Sequence, residues 1–183
     1  RCIMKYYEKM SGKRIYLSPM NEEDAEIYTV WMNDKEITDN LGSSTMVFSE
    51  EAERGWVEEN SGEYQFAIIE RESGEIIGNC GIQAVTHTFQ RAELGLFIGD
   101  EENRNKGYGK EVLSLLLEYC FDTLNLHNVM LKVFSFNERA VHTYSRVGFK
   151  EIGRRREAYY AKGRFWDEIY MDILKDEFTR EFL

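Results

Sequence analysis

The chain alternates between two hydrophobic patterns, one with apolar residues at every second position and one with apolar residues every three or four positions. The first pattern is typical of strands and the second of amphipathic helices. Strands are predicted at residues 14–18, 64–70, 75–85, 89–98, 129–134, 149–156 and 164–174. Helices are predicted at residues 21–32, 49–60 and 137–147, and after the glycine-containing segment 104–109.

The order of these elements predicts how the strands pair. The three strands between residues 64 and 98 are joined by short turns, which predicts an antiparallel meander. The strand, helix and strand around segment 104–109 predict one local parallel pair. We therefore expect an α/β fold, with a mixed, largely antiparallel sheet of about seven strands and helices on both faces.

Segment 104–109, which we call the glycine loop, has the composition of an anion site. Its sequence Arg-Asn-Lys-Gly-Tyr-Gly follows an apolar strand and opens an apolar helix. Glycines allow a tight turn and a close backbone approach to a ligand. The N-terminus of the helix adds unpaired N–H groups and a positive dipole, which suit a pyrophosphate. Neither the Walker pattern nor the dinucleotide fingerprint fits, so the loop alone is a weak signal.

The helix predicted at 137–147 carries a second polar group. Asn137 is a good N-cap and Gly148 a good stop signal for this helix. At about 100° per residue, Tyr144 lies on the same side as Asn137, whereas His142 is rotated about 140° away and is expected to face solvent.

Composition narrows the class of protein. No apolar run approaches the roughly 18 residues of a membrane helix, and no signal-peptide core is present, which indicates a cytoplasmic, membrane-free protein. The cysteines Cys2, Cys80 and Cys120 lack metal-ligand spacing. Cys80 and Cys120 are interpreted as small buried hydrophobic residues rather than nucleophiles or disulfide partners. The three histidines are scattered, so no metal site is expected.

Acidic residues are concentrated in residues 21–63, which we call the acidic segment. It contains 13 acids and only Lys35 and Arg54 as bases, a net −11, whereas the whole chain carries −10. Such a surface would attract cationic amines and repel the phosphates of nucleic acids. The alternative is that these acids are simply the solvated faces of two helices.

Four sequence segments together resemble one known family, the GCN5-related N-acetyltransferases (GNAT). They are "WMNDKEIT" (31–38), "AELGLFIGDEENRNKGYG" (92–109), "NERAVHTYSRVGF" (137–149) and "GRRREAYYAKGRFWDEIYMDIL" (153–174). The nearest branch contains the ribosomal-protein N-terminal and the spermidine acetyltransferases. Two departures are Arg104, where the branch commonly has Trp or Gln, and Asn105, where it has Gly. The resemblance covers about residues 13–174 and implies one domain over 1–183 with a short helical tail.

The resemblance also implies a donor, acetyl-CoA, that enters where the strands before the glycine loop and after its helix splay apart. Family members bind the donor through the end of the first of these strands and through the loop. The implied cofactor-binding residues are Phe97, Ile98, Gly99, Arg104, Asn105, Lys106, Gly107, Tyr108, Gly109, Lys110 and Asn137. Backbone N–H groups near Phe97 and Ile98 would polarise the thioester carbonyl.

Two residues are the candidates for acid–base chemistry. The resemblance places Tyr144 beside the CoA sulfur as the general acid, and a phenol can protonate a thiolate whose acid has a pKa of about 8.5. Only about one primary amine in 10³ is neutral at pH 7, so a base is useful, and Glu93 on the donor-binding strand is the candidate. The alternatives are a core tyrosine and a surface glutamate paired with Arg91 or a neighbour.

The sequence therefore predicts an N-acetyltransferase that transfers acetyl directly to a primary amine of a cationic acceptor, a polyamine or a protein N-terminus. With no supported cysteine nucleophile, attack within a ternary complex is favoured over an acyl-enzyme. Two alternatives stay open. The chain could be a non-catalytic acyl-CoA sensor or assembly module, or it could acetylate another small amine such as an antibiotic. As a partner, a second copy of the chain is considered, in a homodimer or higher homo-oligomer.

Overall fold

The computed structural model describes residues 4–183. Within this range eight strands form one mixed sheet in the order β1-β2-β3-β4-β5-β6-β8-β7. The strands are β1 (Met10–Ser11), β2 (Ile15–Pro19), β3 (Gln65–Glu70), β4 (Ile76–Thr86), β5 (Arg91–Ile98), β6 (Asn128–Phe134), β7 (Lys150–Ala161) and β8 (Arg164–Leu174). The α-helices are α1 (Ala25–Met32), α2 (Lys35–Leu41), α3 (Glu50–Asn60), α4 (Tyr108–Glu118) and α5 (Glu138–Val147).

The predicted fold class is confirmed, with a small difference in strand number. The additional strand is the two-residue β1, which is too short to show a hydrophobic period. β5 and β6 are parallel, whereas β6–β8 and β7–β8 are antiparallel. The parallel pairing covers Arg91–Glu93 and Asn128–Met130 only, although β5 continues to Ile98 and β6 to Phe134. The pairing thus ends partway along both strands.

The chain forms two compact units. The first unit contains the chain up to Gly81 together with Leu96–Tyr108, and the second contains Ile82–Gly95 and Gly109–Leu183. The β4–β5 hairpin contributes strand residues to each.

The core of the first unit is built from its strands and from α1. Ile15, Leu17, Ile68 and Ile69 are fully buried along β2 and β3. Buried aliphatic side chains of this size each contribute about 1.5–3 kcal/mol to folding. On α1, the rings of Tyr28 and Trp31 are buried and meet edge to face, with centroids 5.8 Å apart.

The start of the helical region differs from the sequence prediction. Asn21 caps a 3₁₀ turn, Glu22–Asp24, and α1 begins only after it. The short α2 was not predicted, although Asp34 caps its first turn and Gly42 ends it in a left-handed conformation. Seven residues are too few for a clear 3.6-residue period, so these caps were the usable signal.

The second unit is organised by α4 and α5. The apolar face of α4 is buried as predicted, including Val112, Leu113, Leu116 and Leu117. A π-helical turn, Tyr119–Thr123, follows α4. Beyond β8, where a helical tail was expected, the described chain has one 3₁₀ turn, Lys175–Glu177. Among residues 4–183, the structure contains no helix that is long and apolar enough to cross a membrane.

Candidate active site

The end of β5 is fixed by a glycine that lies against an aromatic ring. A Cβ on Gly99 would lie 2.1 Å from Cε2 of Trp31, so a larger residue does not fit without displacing the indole. The Trp31 Nε1–H donates to Asp100, at 3.0 Å, and the Phe97 ring meets the indole edge to face. The N–H of Gly99 donates to the carbonyl of Ile77. Contacts of Phe97, Ile98 and Gly99 with a donor stay a prediction.

The glycine loop contains two residues in the left-handed region. Gly107 has φ +83° and Asn105 has φ +60°. Asparagine is among the residues that adopt this conformation most readily when glycine is absent, which explains how the loop keeps its turn at Asn105. α4 starts directly afterwards at Tyr108, and its first N–H groups have no partner within the helix. This is the local geometry that an anion site at a helix N-terminus needs.

Arg104 is held by contacts within the first unit. Its guanidinium donates to the Gly99 carbonyl from Nε at 3.1 Å and from Nη2 at 2.6 Å. It also forms an ion pair with Glu36 at 2.9 Å, and only 8% of the side chain is exposed. The positive charge is therefore neutralised by Glu36 of α2. The Arg104 side chain holds the loop in place and does not extend from it. A direct contact of Arg104 with the donor stays a prediction, and these contacts do not favour it.

Tyr108 is likewise an internal anchor. Its hydroxyl donates to Glu70, and this hydrogen bond is the main reason that the pKa of Tyr108 is raised to about 12. The same bond holds the pKa of the Glu70 carboxyl below its usual range. The side chain of Lys106 is exposed, whereas Lys110, in the second unit, lies with Nζ 5.3 Å from the ring centroid of Phe182.

α5 places Asn137 and Tyr144 as the sequence predicted. The side chain of Asn137 caps the helix by accepting a hydrogen bond from the N–H of Ala140, at 3.2 Å, and Gly148 ends it with φ +118°. His142 is exposed, also as predicted. Because the Asn137 oxygen serves as the cap, its amide NH₂ is the group that could donate to a ligand.

Tyr144 has an unusual environment for a core tyrosine. Its ring is partly buried and meets Phe149 edge to face, with centroids 6.3 Å apart. Within residues 4–183, no hydrogen-bond partner is found for its hydroxyl. Burial raises the pKa of Tyr144 to about 12, so the phenol keeps its proton at any physiological pH. The fully buried, unpartnered side-chain oxygens of the described chain do not include that of Tyr144, so its hydroxyl is accessible and can donate to a bound molecule.

Glu93 lies on β5 and is paired with a cation of the neighbouring strand. Its Oε1 is 3.1 Å from Nζ of Lys132 on β6, and this hydrogen bond is the main reason that the pKa of Lys132 is raised. Arg91, the partner considered from the sequence, instead lies over the ring of Phe89. The contact supports the interpretation of Glu93 as one half of an ion pair, and its role as a base stays a prediction.

The cysteines do not offer a nucleophile in the described part of the chain. Cys80 and Cys120 are fully buried, and burial raises the pKa of both thiols, that of Cys120 to about 12. The reactive thiolate is therefore disfavoured at both positions. Cys2 lies outside the described residues. Residues 4–183 contain no group of three or more His, Cys, Asp or Glu side chains that could hold a metal ion.

The acidic segment is divided between exposed and buried acids. All of its acids are exposed except Asp24, Asp39 and Glu53. Asp24 is paired with Lys5 at 2.6 Å and Asp39 with Lys35 at 3.0 Å, whereas burial raises the pKa of Glu53. The exposed acids are the ones that can act on a partner in solution, and the buried ones belong to the fold of the first unit.

Comparisons with known proteins identify the chain. A sequence model of the acetyltransferase (GNAT) domain matches residues 14–150. Over 177 residues the chain is 30% identical to the uncharacterized N-acetyltransferase p20 of Bacillus licheniformis, covering 94% of this chain and 99% of that protein. The fold and these matches define an acyl-CoA-dependent N-acetyltransferase. The chain belongs to the GCN5-related N-acetyltransferase family, as its four motifs predicted.

Spermidine acetyltransferases are among its relatives. The spermidine N(1)-acetyltransferase of Vibrio cholerae is 31% identical over 111 residues, which are 61% of this chain and 64% of that protein. A crystal structure of spermidine N-acetyltransferase from Vibrio cholerae in complex with CoA and spermine has a TM-score of 0.81 at 23% identity, covering 90% of this chain and 97% of that chain. At that identity the structural likeness concerns the fold alone.

Proposed function

We propose that this enzyme transfers the acetyl group of acetyl-CoA directly to a primary amine of a cationic acceptor, a polyamine or a basic protein N-terminus. The observation that supports this most is the Tyr144 hydroxyl, which keeps its proton and has no partner in the described chain. A proton donor of this kind is what the departing thiolate of CoA requires. The two buried cysteines favour direct attack over a covalent acyl-enzyme.

In this proposal the pyrophosphate of acetyl-CoA binds the amides of residues 105–110. The left-handed turn at Asn105 and Gly107 and the start of α4 at Tyr108 support this assignment. The exposed ammonium of Lys106 adds charge of the right sign. Asn137 donates to the donor from its amide while its oxygen caps α5.

The reaction then needs one proton removed from nitrogen and one delivered to sulfur. The neutral amine attacks the thioester carbonyl, whose oxygen is polarised by backbone N–H groups near Phe97 and Ile98. The C–S bond breaks as Tyr144 donates its proton to the departing thiolate, and the proton lost by nitrogen passes to Glu93, directly or through water. Burial makes the Tyr144 phenol a weaker acid than a phenol in water, so contact with the sulfur has to promote this transfer.

The raised pKa of Tyr144 predicts the shape of the pH profile. Because the neutral form is favoured up to about pH 12, Tyr144 stays competent as an acid while the amine loses its proton. Below the amine pKa of about 10.4, its neutral fraction rises tenfold per pH unit. We expect kcat/KM, measured in initial-rate assays, to rise with pH up to about 9 without a descending limb. A descending limb centred below pH 9 would contradict the assignment of the acid to this phenol.

The acceptor class is supported by charge and by relatives. The exposed acids of the acidic segment would concentrate a polycation near the first unit. The Vibrio cholerae relative named above is a spermidine N(1)-acetyltransferase. A thiol-release assay with acetyl-CoA and a panel of amines tests the whole proposal. We expect release with spermidine or a basic N-terminal peptide, and tight donor binding without release for any amine would instead indicate a sensor.

Salt provides a separate test of the acceptor. We expect kcat/KM for spermidine to fall steeply between about 0.02 and 0.2 M salt, because the Debye length shrinks to about 8 Å or less. A neutral primary amine should respond little. Reversal of two exposed acids, Glu58→Lys with Glu59→Lys, should raise KM for spermidine more than it changes kcat.

The matched control for that reversal is Glu72→Lys with Glu75→Lys. These acids are also exposed and lie in the first unit but outside the acidic segment. The two double variants change the net charge by the same amount. Equal effects of the two double variants would show that net charge alone acts on the acceptor. A flat salt response would mean that the acidic segment is only a solvated surface.

A further inference from the structure

The glycine loop is held from one side by an arginine distant in sequence. Nη1 of Arg14 donates to the carbonyl of Lys106, at 2.7 Å. The Arg14 guanidinium carbon lies 4.8 Å from the ring centroid of Tyr108, and Nη2 would be 3.4 Å from a Cβ on Gly107. One side chain, one residue before β2, therefore contacts Lys106 and Tyr108, the two neighbours of Gly107 in the loop.

The hydrogen bond to Lys106 fixes the orientation of a whole peptide group. The peptide bonds of the described chain are trans, and in a trans peptide the carbonyl and the following N–H point in opposite directions. Because the Lys106 carbonyl points to Arg14, the N–H of Gly107 points away from it. The carbonyl oxygen, which would repel an anion, is thereby turned from the face that presents the N–H.

The ring under Arg14 is itself fixed. The Tyr108 hydroxyl donates to Glu70 on β3, so the ring on which the guanidinium stacks is anchored at its far end. A guanidinium over an aromatic face is attracted to the ring and restrained there. Arg14 is thus held at the position from which it reaches the Lys106 carbonyl.

We infer that Arg14 is a positioning residue for the donor: it orients the loop amides that bind the pyrophosphate of acetyl-CoA. This inference rests on the proposed function for its ligand, but its geometric part concerns the loop alone. Arg14 acts through the Lys106–Gly107 peptide. Removal of the Arg14 side chain should therefore weaken the binding of a donor that carries a pyrophosphate, but not of a donor that lacks one.

The test is Arg14→Met, which keeps an unbranched apolar stem over Tyr108 and removes the donors. Titration calorimetry should show acetyl-CoA affinity about tenfold weaker, the effect expected for one hydrogen bond from a charged group. In kinetics, KM for acetyl-CoA should rise while kcat changes by less than about twofold. With S-acetylpantetheine, which lacks the pyrophosphate, wild type and variant should react at the same rate.

Arg71→Met is the matched control. Arg71 also donates to a carbonyl, that of Gly12 at 3.0 Å, and its guanidinium carbon lies 5.4 Å from the ring centroid of Tyr16. It lies in the first unit too and also forms an ion pair with Glu8, so its removal reports the cost of losing such a contact together with that pair. We expect the melting temperature to fall in both variants, and weaker acetyl-CoA binding only in Arg14→Met.

Hydrogen exchange of the loop amides, measured without any donor, separates the two proposals. Exchange at residues 106–108 should be faster in Arg14→Met and unchanged in Arg71→Met. Wild type that does not bind acetyl-CoA would overturn the proposed function while the exchange result still stands. Unchanged loop exchange, equal loss of acetyl-CoA affinity in both variants, or equal loss with S-acetylpantetheine would each overturn the role of Arg14.

Discussion

Replacing Tyr144 with Phe should lower kcat by about 100-fold or more, because this change deletes only the proposed proton donor, and general acids contribute about 10²–10⁴-fold. The ring and its contact with Phe149 are kept. Acetyl-CoA affinity should therefore stay within about twofold of wild type. The measurement is a single-turnover rate with spermidine, in which chemistry rather than product release is followed.

The same substitution should leave stability unchanged or slightly improved. The Tyr144 hydroxyl has no hydrogen-bond partner in the described chain and is not one of its fully buried oxygens, so its removal costs the folded state no internal hydrogen bond. Thermal unfolding should show a melting temperature equal to wild type or higher. If Tyr144 served only stability, Tyr144→Phe would instead lower the melting temperature and leave kcat unchanged.

Tyr160→Phe is the control for Tyr144→Phe. Tyr160 lies on β7 in the same unit, is 61% exposed and meets Phe165 edge to face. Its hydroxyl is not assigned to the reaction, so kcat should not change. If the single-turnover rate of Tyr144→Phe stays within about threefold of wild type, Tyr144 is not the acid, and the observation that supports the proposed function most strongly is lost.

The helix that carries Tyr144 shows why part of the site could be predicted from sequence. Asn137 and Gly148 are local signals, because a cap and a left-handed stop depend on the residues within one turn. The seven-residue separation from Asn137 to Tyr144 then sets both on one side of α5. What the sequence could not supply is the absence of a partner for the hydroxyl, which depends on every residue packed around it.

Charged side chains were harder to predict than the backbone that carries them. The sequence assigned Arg104 to the anion because of its sign and position, but α2, which was not predicted, places Glu36 2.9 Å away. No local pattern associates Arg14 with the loop, since 92 residues separate it from Lys106. Long, flexible side chains pair with acids or carbonyls that the tertiary fold brings near, and no local pattern specifies these partners.

Gly107→Val should weaken acetyl-CoA binding at least tenfold, about 1.4 kcal/mol. With φ at +83°, Gly107 adopts a conformation that a β-branched residue strongly disfavours. Valine would therefore pull the backbone toward negative φ and rotate the Gly107 N–H away from the face on which an anion would bind. Equilibrium titration with acetyl-CoA measures the loss, and S-acetylpantetheine should again be affected much less.

Comparison with Gly74→Val separates the loss of acetyl-CoA affinity from the loss of stability that any valine in a left-handed conformation causes. Gly74 has φ +72° in the turn between β3 and β4, and a Cβ there meets nothing within 4 Å. Both variants should lose roughly 1–2 kcal/mol of stability from the left-handed conformation, so their melting temperatures should fall together. Only Gly107→Val should lose affinity for acetyl-CoA. Unchanged affinity in a folded Gly107→Val protein would mean that the pyrophosphate does not bind these amides, because the loop would have lost its geometry without losing its ligand.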